Sequence, residues 1–144
     1  MKLKVKKLNP KAKIPSYQTN GSAGADLCAL LESPVTIEPN QTVLIPTGLS
    51  FAIPEGYGGF VFARSGLASK KGLAPANKVG VIDSDYRGEL MVALHNHGKE
   101  AQTVLPEDRI AQFVIMPILQ ADFLLVDTLE ETERGAGGFG STGM

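Results

Sequence analysis

The stretch from Asn77 to Leu90 is the segment whose residue types could do chemistry: Asn-Lys-Val-Gly-Val-Ile-Asp-Ser-Asp-Tyr-Arg-Gly-Glu-Leu. The apolar run Val79–Ile82 leads into Asp83, and Ser84–Gly88 turns the chain toward a second apolar run beginning at Leu90. A β-hairpin is therefore expected, with Asp83 where strand becomes turn. A carboxylate there can accept a proton from water and activate it, and Tyr86 offers a flat face to a sugar or base. The competing reading is a turn aspartate that bonds its own backbone.

Two further segments supply donors for an anion. In Ala63-Arg-Ser-Gly-Leu67, Arg64 presents a fixed fork of N–H groups, and Ser65 is of a type that caps helix N-termini, where free amides and a positive dipole end favour oxyanions. The alternative is a plain cap beside a surface arginine. Near the C-terminus, Arg134-Gly-Ala-Gly-Gly-Phe-Gly-Ser-Thr-Gly143 combines one guanidinium, two hydroxyls, one aromatic ring and many backbone amides. So free a backbone settles only against a partner or ligand, which suits a flap closing over a ring-bearing phosphate ester; a disordered terminus is the other reading. Gly135, Gly137 and Gly140 match G-x-G-x-x-G, but no strand leads in and no helix follows, and Ser141 stands where a P-loop needs lysine, so both nucleotide-loop readings fail.

No His and carboxylate spacing resembles a zinc site, and His95 and His97 share one face of an expected strand. Magnesium asks for few protein ligands, so any Mg2+ is expected to arrive on the phosphate oxygens of a ligand, with no direct protein ligand and Asp26 as a candidate to hold one of its waters.

These residues must be positioned by short β segments. Leu3–Leu8, Thr42–Ile45, Leu49–Ile53, Gly59–Ala63, Leu90–Asn96, Gln102–Leu105, Ile110–Ile118 and Asp122–Val126 read as strands, separated by most of the 16 glycines and 9 prolines. Only Ser65–Lys71, ending at Gly72, reads as a helix. The expectation is an all-β sandwich or barrel over residues 1–127, followed by an acidic and then glycine-rich arm over 128–144.

A chain of 144 residues fits one domain with one core. With 14 Lys and Arg against 15 Asp and Glu, there is no bulk positive field for a nucleic-acid polymer, while a small anionic substrate stays open. Lone Cys28 cannot form an internal disulfide, no segment reads as a signal peptide, and apolar runs stop well short of the roughly 20 residues of a membrane span. A cytoplasmic protein without membrane contact is expected.

Taken together, the segments resemble the homotrimeric dUTPases, with all five family motifs in order: Ala23-Gly-Ala-Asp-Leu-Cys-Ala29, Arg64-Ser-Gly-Leu67, Gly80-Val-Ile-Asp-Ser-Asp-Tyr-Arg-Gly88, Asp108-Arg-Ile-Ala-Gln112 and Arg134 to Gly143. The likeness covers nearly the whole chain; Ala63 replaces a common proline and Glu107 a common glycine. It implies a distorted jelly-roll or β-barrel of the β-clip type and hydrolysis of dUTP to dUMP and pyrophosphate. That reaction keeps uracil out of DNA and supplies dUMP for thymidylate synthesis. The resemblance makes Asp83 the base for in-line water attack on the α-phosphorus. It assigns the base slot to Asn77, Gly80, Val81, Ile82 and Met91, the deoxyribose face to Tyr86, and phosphate contacts to Arg64, Ser65, Gly66 and Gln112. It gives Arg134, Gly138, Gly140 and Ser141 to the terminal phosphates and Phe139 to stacking on uracil, with sites shared between chains of a trimer. A dCTP deaminase-type relative and a catalytically inactive trimeric binding protein are the alternatives.

Overall fold

The structure is a computed structural model and describes residues 1–138. Eleven strands and one short helix are present among them, in four sheets that share a single apolar core. The largest sheet runs in the order β2 (Ala25–Cys28), β11 (Arg109–Pro117), β6 (Tyr57–Phe62), β8 (Gly80–Ile82), all neighbours antiparallel. A second sheet places β9 (Met91–Asn96) between β4 (Thr42–Pro46) and β7 (Leu73–Pro75). Two-stranded pairs of β1 (Lys4–Lys7) with β5 (Leu49–Ala52), and of β3 (Val35–Ile37) with β10 (Gln102–Val104), complete the set. The fold is thus all-β as expected, but no ladder among the described residues closes into a barrel.

Alternation explains how each sheet meets the core. Along β9, Val92, Leu94 and Asn96 are buried while Met91, Ala93 and His95 face away. The buried side chains Leu27, Ile37, Ile45, Leu49, Leu94 and Ile110 come from six different strands, so no sheet buries its apolar face alone. Phe51 of β5 packs on Phe113 of β11 with ring centroids 4.9 Å apart. The buried Asn96 amide is fully engaged: it donates to the carbonyls of Ile37 and Glu100 and accepts from Gly98 N–H, which ties β9 to β3.

Several expectations need correction. Val79–Ile82 and the strand after Leu90 do not form a hairpin, because β8 pairs with β6 while β9 pairs with β4 and β7; the residues between them cross from one sheet to another. Asp122–Val126 is not a strand, and Phe123, Leu124 and Leu125 are exposed, since no partner ladder lies beside them. Ser65 is the first residue of α1 (Ser65–Lys71) rather than its cap: Arg64 holds the cap position and no side chain caps the helix. The helix does end at Gly72, in the left-handed conformation with φ 66°. Strands β2, β3 and β7 were not legible as strands: β3 and β7 are too short to show a period, and β2 is buried on both faces at Ala25, Asp26 and Leu27.

Candidate active site

The expected site residues outside the C-terminal arm gather at two separate clefts. The first, of about 550 Å³, lies where β2, β11 and the start of α1 meet, and Asp26, Arg64, Ser65, Gly66 and Gln112 all line it. Its organising feature is a carboxylate held between two guanidinium groups. Asp26, only 8% exposed, accepts from Arg64 Nε at 2.8 Å through Oδ1 and from Arg109 Nη1 at 3.2 Å through Oδ2. Arg64 also donates from Nη1 to the Arg109 carbonyl at 3.2 Å, so the guanidinium is fixed on two sides while part of its fork still faces the cleft.

Gln112 sits opposite Asp26 in the β2–β11 pairing and donates from Nε2 to the Ala63 carbonyl at 2.8 Å. A Cβ on Gly24 would stand 2.6 Å from Gln112 Oε1, so this glycine leaves the room that the amide occupies. Lys70 and Lys71, in the last turn of α1, line the same cleft and add to its cationic character. These two lysines and Arg109 are site residues that sequence reasoning passed over. For Arg109 the signal was present, a cation inside the fourth motif; for the lysines, only the helix geometry brings them in.

The second group surrounds β8. Asn77, Gly80, Val81, Ile82 and Met91 share one hollow with Leu44, and Asp83 and Tyr86 line the adjoining one together with Val81, Ile82 and Met91. Because β8 is the edge strand of its sheet, its backbone groups facing away from β6 have no ladder partner among the described residues, an arrangement fit to read the polar edge of a base. Apolar side chains left open beside that edge, Val81 at 63%, Leu44 at 55% and Met91 at 40% exposure, supply the walls of a slot. Leu44 too was passed over; its outward place in the alternation of β4 was the available clue.

Asp83 is exposed and bonds through its carbonyl to Tyr86 N–H at 3.2 Å, closing the turn that begins the crossing. Tyr86 donates its hydroxyl to the Glu89 carbonyl at 2.9 Å. His95 and His97 lie with ring centroids 4.3 Å apart, and Lys78 Nζ is 3.5 Å from His97 Nε2. Desolvation, then the charges of Lys78 and His95, push the His97 imidazole below its ordinary value. Burial pushes the Cys28 thiol up, which makes it a poor nucleophile.

Of the arm residues, Arg134 donates from Nε to the Gly137 carbonyl at 2.9 Å, and neither Arg134 nor Gly138 lines the two clefts. Phe139, Gly140 and Ser141 lie outside the described residues. Among the described residues no three His, Cys, Asp or Glu side chains cluster in a way that could hold a metal, and no helix is long and apolar enough to cross a membrane.

A sequence profile of the dUTPase family matches residues 10–143. The chain belongs to the dUTPase family. It is 60% identical over 133 residues to the deoxyuridine 5'-triphosphate nucleotidohydrolase of Desulfitobacterium hafniense, covering 92% of this chain and 88% of that one. To the enzyme of the same name from Paraburkholderia phymatum it is 49% identical over 146 residues, covering 99% of both. Among solved structures, the Staphylococcus bacteriophage 80alpha dUTPase with dUPNHPP superposes with a TM-score of 0.85 at 31% identity, covering 99% of each chain. A mutant of that phage dUTPase with dUpNHpp reaches 0.89 at 29% identity. Membership of the dUTPase family does not favour the deaminase-type or inactive-binder alternatives.

Proposed function

We propose that this dUTPase-family chain hydrolyses dUTP to dUMP and pyrophosphate, with Asp83 taking the proton of a water that attacks the α-phosphorus in line. The observation that carries the reading is an exposed carboxylate at the end of an edge strand, directly beside a slot with open backbone groups and apolar walls. Uracil would lie in that slot against Asn77, Gly80, Val81, Ile82 and Met91. Cytosine presents the reversed hydrogen-bond pattern at its exocyclic position and would leave buried groups unpaired. Tyr86 would lie against the deoxyribose and leave no room for a 2′-hydroxyl. Arg64, Ser65, Gly66 and Gln112 would hold phosphate oxygens, and the arm over 128–144 would close over them, with Arg134, Gly138, Gly140 and Ser141 on the terminal phosphates and Phe139 on the base. Removing uracil nucleotide from the DNA precursor pool and supplying dUMP follow from this reaction.

Asp26 fits an indirect role toward magnesium. Its two oxygens already accept from arginines, yet each oxygen has a second lone pair, so Asp26 can orient a metal-bound water without binding the ion itself. Bound across the triphosphate, Mg2+ would neutralise the charge that develops on the leaving pyrophosphate.

The two clefts support a site shared between chains. Asp83 and Tyr86 share no cleft with Arg64 or Gln112 on one chain, so a homotrimer in which one protomer's β8 region meets its neighbour's phosphate cleft would unite them. The net charge of −1 agrees with a small-molecule rather than a nucleic-acid partner, and a cytoplasmic location is part of the same reading.

The deciding experiment is pyrophosphate release from dUTP, UTP, dTTP and dCTP with magnesium, alongside ammonia release from dCTP. Rapid release from dUTP alone, without ammonia, is the expected result; no release from any nucleotide would overturn the reading.

A further inference from the structure

The crossing that carries Asp83 and Tyr86 has no hairpin ladder to hold it, because the strands on either side belong to different sheets. Its far end is instead fastened to the segment Thr47–Ser50 by four hydrogen bonds. Thr47 Oγ1 donates to the Leu90 carbonyl at 2.5 Å, Gly48 N–H to Glu89 Oε1 at 2.7 Å, Leu90 N–H to the Leu49 carbonyl at 2.7 Å, and Ser50 Oγ to the Arg87 carbonyl at 2.7 Å. Thr47 and Leu49 are buried, so the fastening point belongs to the rigid core.

Gly48 is required where it stands. Its φ is +70°, and a Cβ there would lie 2.5 Å from Leu30 Cδ2 and 2.9 Å from Ala12 Cβ. That backbone conformation is the one in which the Gly48 amide meets the Glu89 carboxylate, a charge-assisted bond of the stronger kind. From the other side, the Tyr86 hydroxyl donates to the Glu89 carbonyl, and the ring lies over Gly88, where a Cβ would come within 2.6 Å of Cζ. Glu89 therefore joins the two ends of a chain of contacts: its carboxylate grips the core and its carbonyl receives the Tyr86 hydroxyl.

We propose that Glu89 is a positioning residue for sugar selection, holding the half-exposed Tyr86 ring at the angle from which it excludes a 2′-hydroxyl. The inference rests on the reading of Tyr86 as the face against the deoxyribose. The physical ground is that a steric wall discriminates only if it cannot swing aside. The Tyr86 ring is 45% exposed, and its hydroxyl bond to Glu89 and its seat on Gly88 are what restrain it. Loss of the Gly48–Glu89 bond removes one of the four bonds at this end of the crossing and leaves the Leu90 N–H bond to Leu49 to hold the Glu89 peptide alone, which loosens the seat of the Tyr86 hydroxyl and lets the ring turn enough to admit ribose while the base slot and Asp83 stay in place.

The test is the ratio of kcat/KM for dUTP to that for UTP, measured on the full chain with magnesium. Glu89→Ala and Tyr86→Phe should each lower the ratio roughly tenfold, the factor expected for one lost hydrogen bond, chiefly through faster use of UTP. Glu89→Gln keeps an amide oxygen that accepts from Gly48 and should retain the ratio. The double variant Glu89→Ala with Tyr86→Phe should be no worse than either single change, because both cut the same chain of contacts. Tyr86→Ala serves as the reference for a removed wall. If Tyr86→Ala loosens selection while Tyr86→Phe or folded Glu89→Ala leaves the ratio unchanged, the positioning role of Glu89 is overturned and the reading of Tyr86 stands. A loss in Glu89→Gln as large as in Glu89→Ala also overturns it. An unchanged ratio in Tyr86→Ala removes both together. Should Glu89→Ala fail to fold, Glu89→Met, which keeps the length of the side chain without a strong acceptor, takes its place in both comparisons.

Discussion

Arg64 Nε lies 2.8 Å from Asp26 Oδ1, so the arginine at the start of α1 is aimed by a carboxylate on β2. The same carboxylate holds Arg109 at 3.2 Å, and with 10% of its side chain exposed Asp26 is the least solvated member of the trio. One buried negative charge therefore keeps two cations side by side that would otherwise repel.

Asp26→Asn keeps the shape but removes the charge that holds both guanidinium groups. The expected outcome is a folded protein whose dUTP hydrolysis drops on the order of 10- to 100-fold, with a raised magnesium requirement. Titration of activity against magnesium at fixed dUTP checks this; an unchanged magnesium curve would detach Asp26 from the metal.

Asp83→Asn keeps hydrogen bonding but cannot take a proton at neutral pH. Turnover should fall by a factor on the order of a hundred or more, while the variant still binds a non-hydrolysable dUTP analogue. Single-turnover rates and calorimetric binding separate the two effects. Near-normal turnover would move the base to another residue.

Mixed assembly tests the proposed homotrimer and its shared site. Asp83→Asn and a chain ending at Glu133 should each be nearly inactive, yet unfolding them together in equal amounts and refolding should restore hydrolysis. With the carboxylate and the arm drawn from different chains, random assembly gives the intact pair at about one quarter of sites, one half times one half. No recovered activity in verified mixed trimers would sink the shared-site arrangement.

Leu94 is fully buried on β9, at the centre of the core that carries both clefts. Leu94→Ala should cost about 2–5 kcal/mol of stability, seen as a lower urea midpoint. Activity below the unfolding transition should change far less than in Asp83→Asn. A loss under about 1 kcal/mol would show that the core around Leu94 refills the space.

Local features were legible in the residues alone. Apolar alternation with glycine and proline punctuation made the class all-β, and the run from Ser65 ending at Gly72 marked the one helix among the described residues, because strand period and helix termination depend on near neighbours. Residue type likewise singled out Asp83, Tyr86 and Arg64, and the likeness to the dUTPase motifs added Gln112. What tertiary structure decided is which distant segments meet. The crossing after Ile82 looked like a hairpin because its turn residues are those of a hairpin, but pairing energy comes from partners far along the chain, Phe60 opposite Val81 and Ile45 opposite Val92. Asp122–Val126 had a strand's composition and no ladder to join. The bracing of Arg64 by Asp26 and Arg109, the hold of Gly48 on Glu89, and the division of the site residues between two clefts all join positions tens of residues apart. Such contacts leave no period in the sequence and exist only once the sheets have packed.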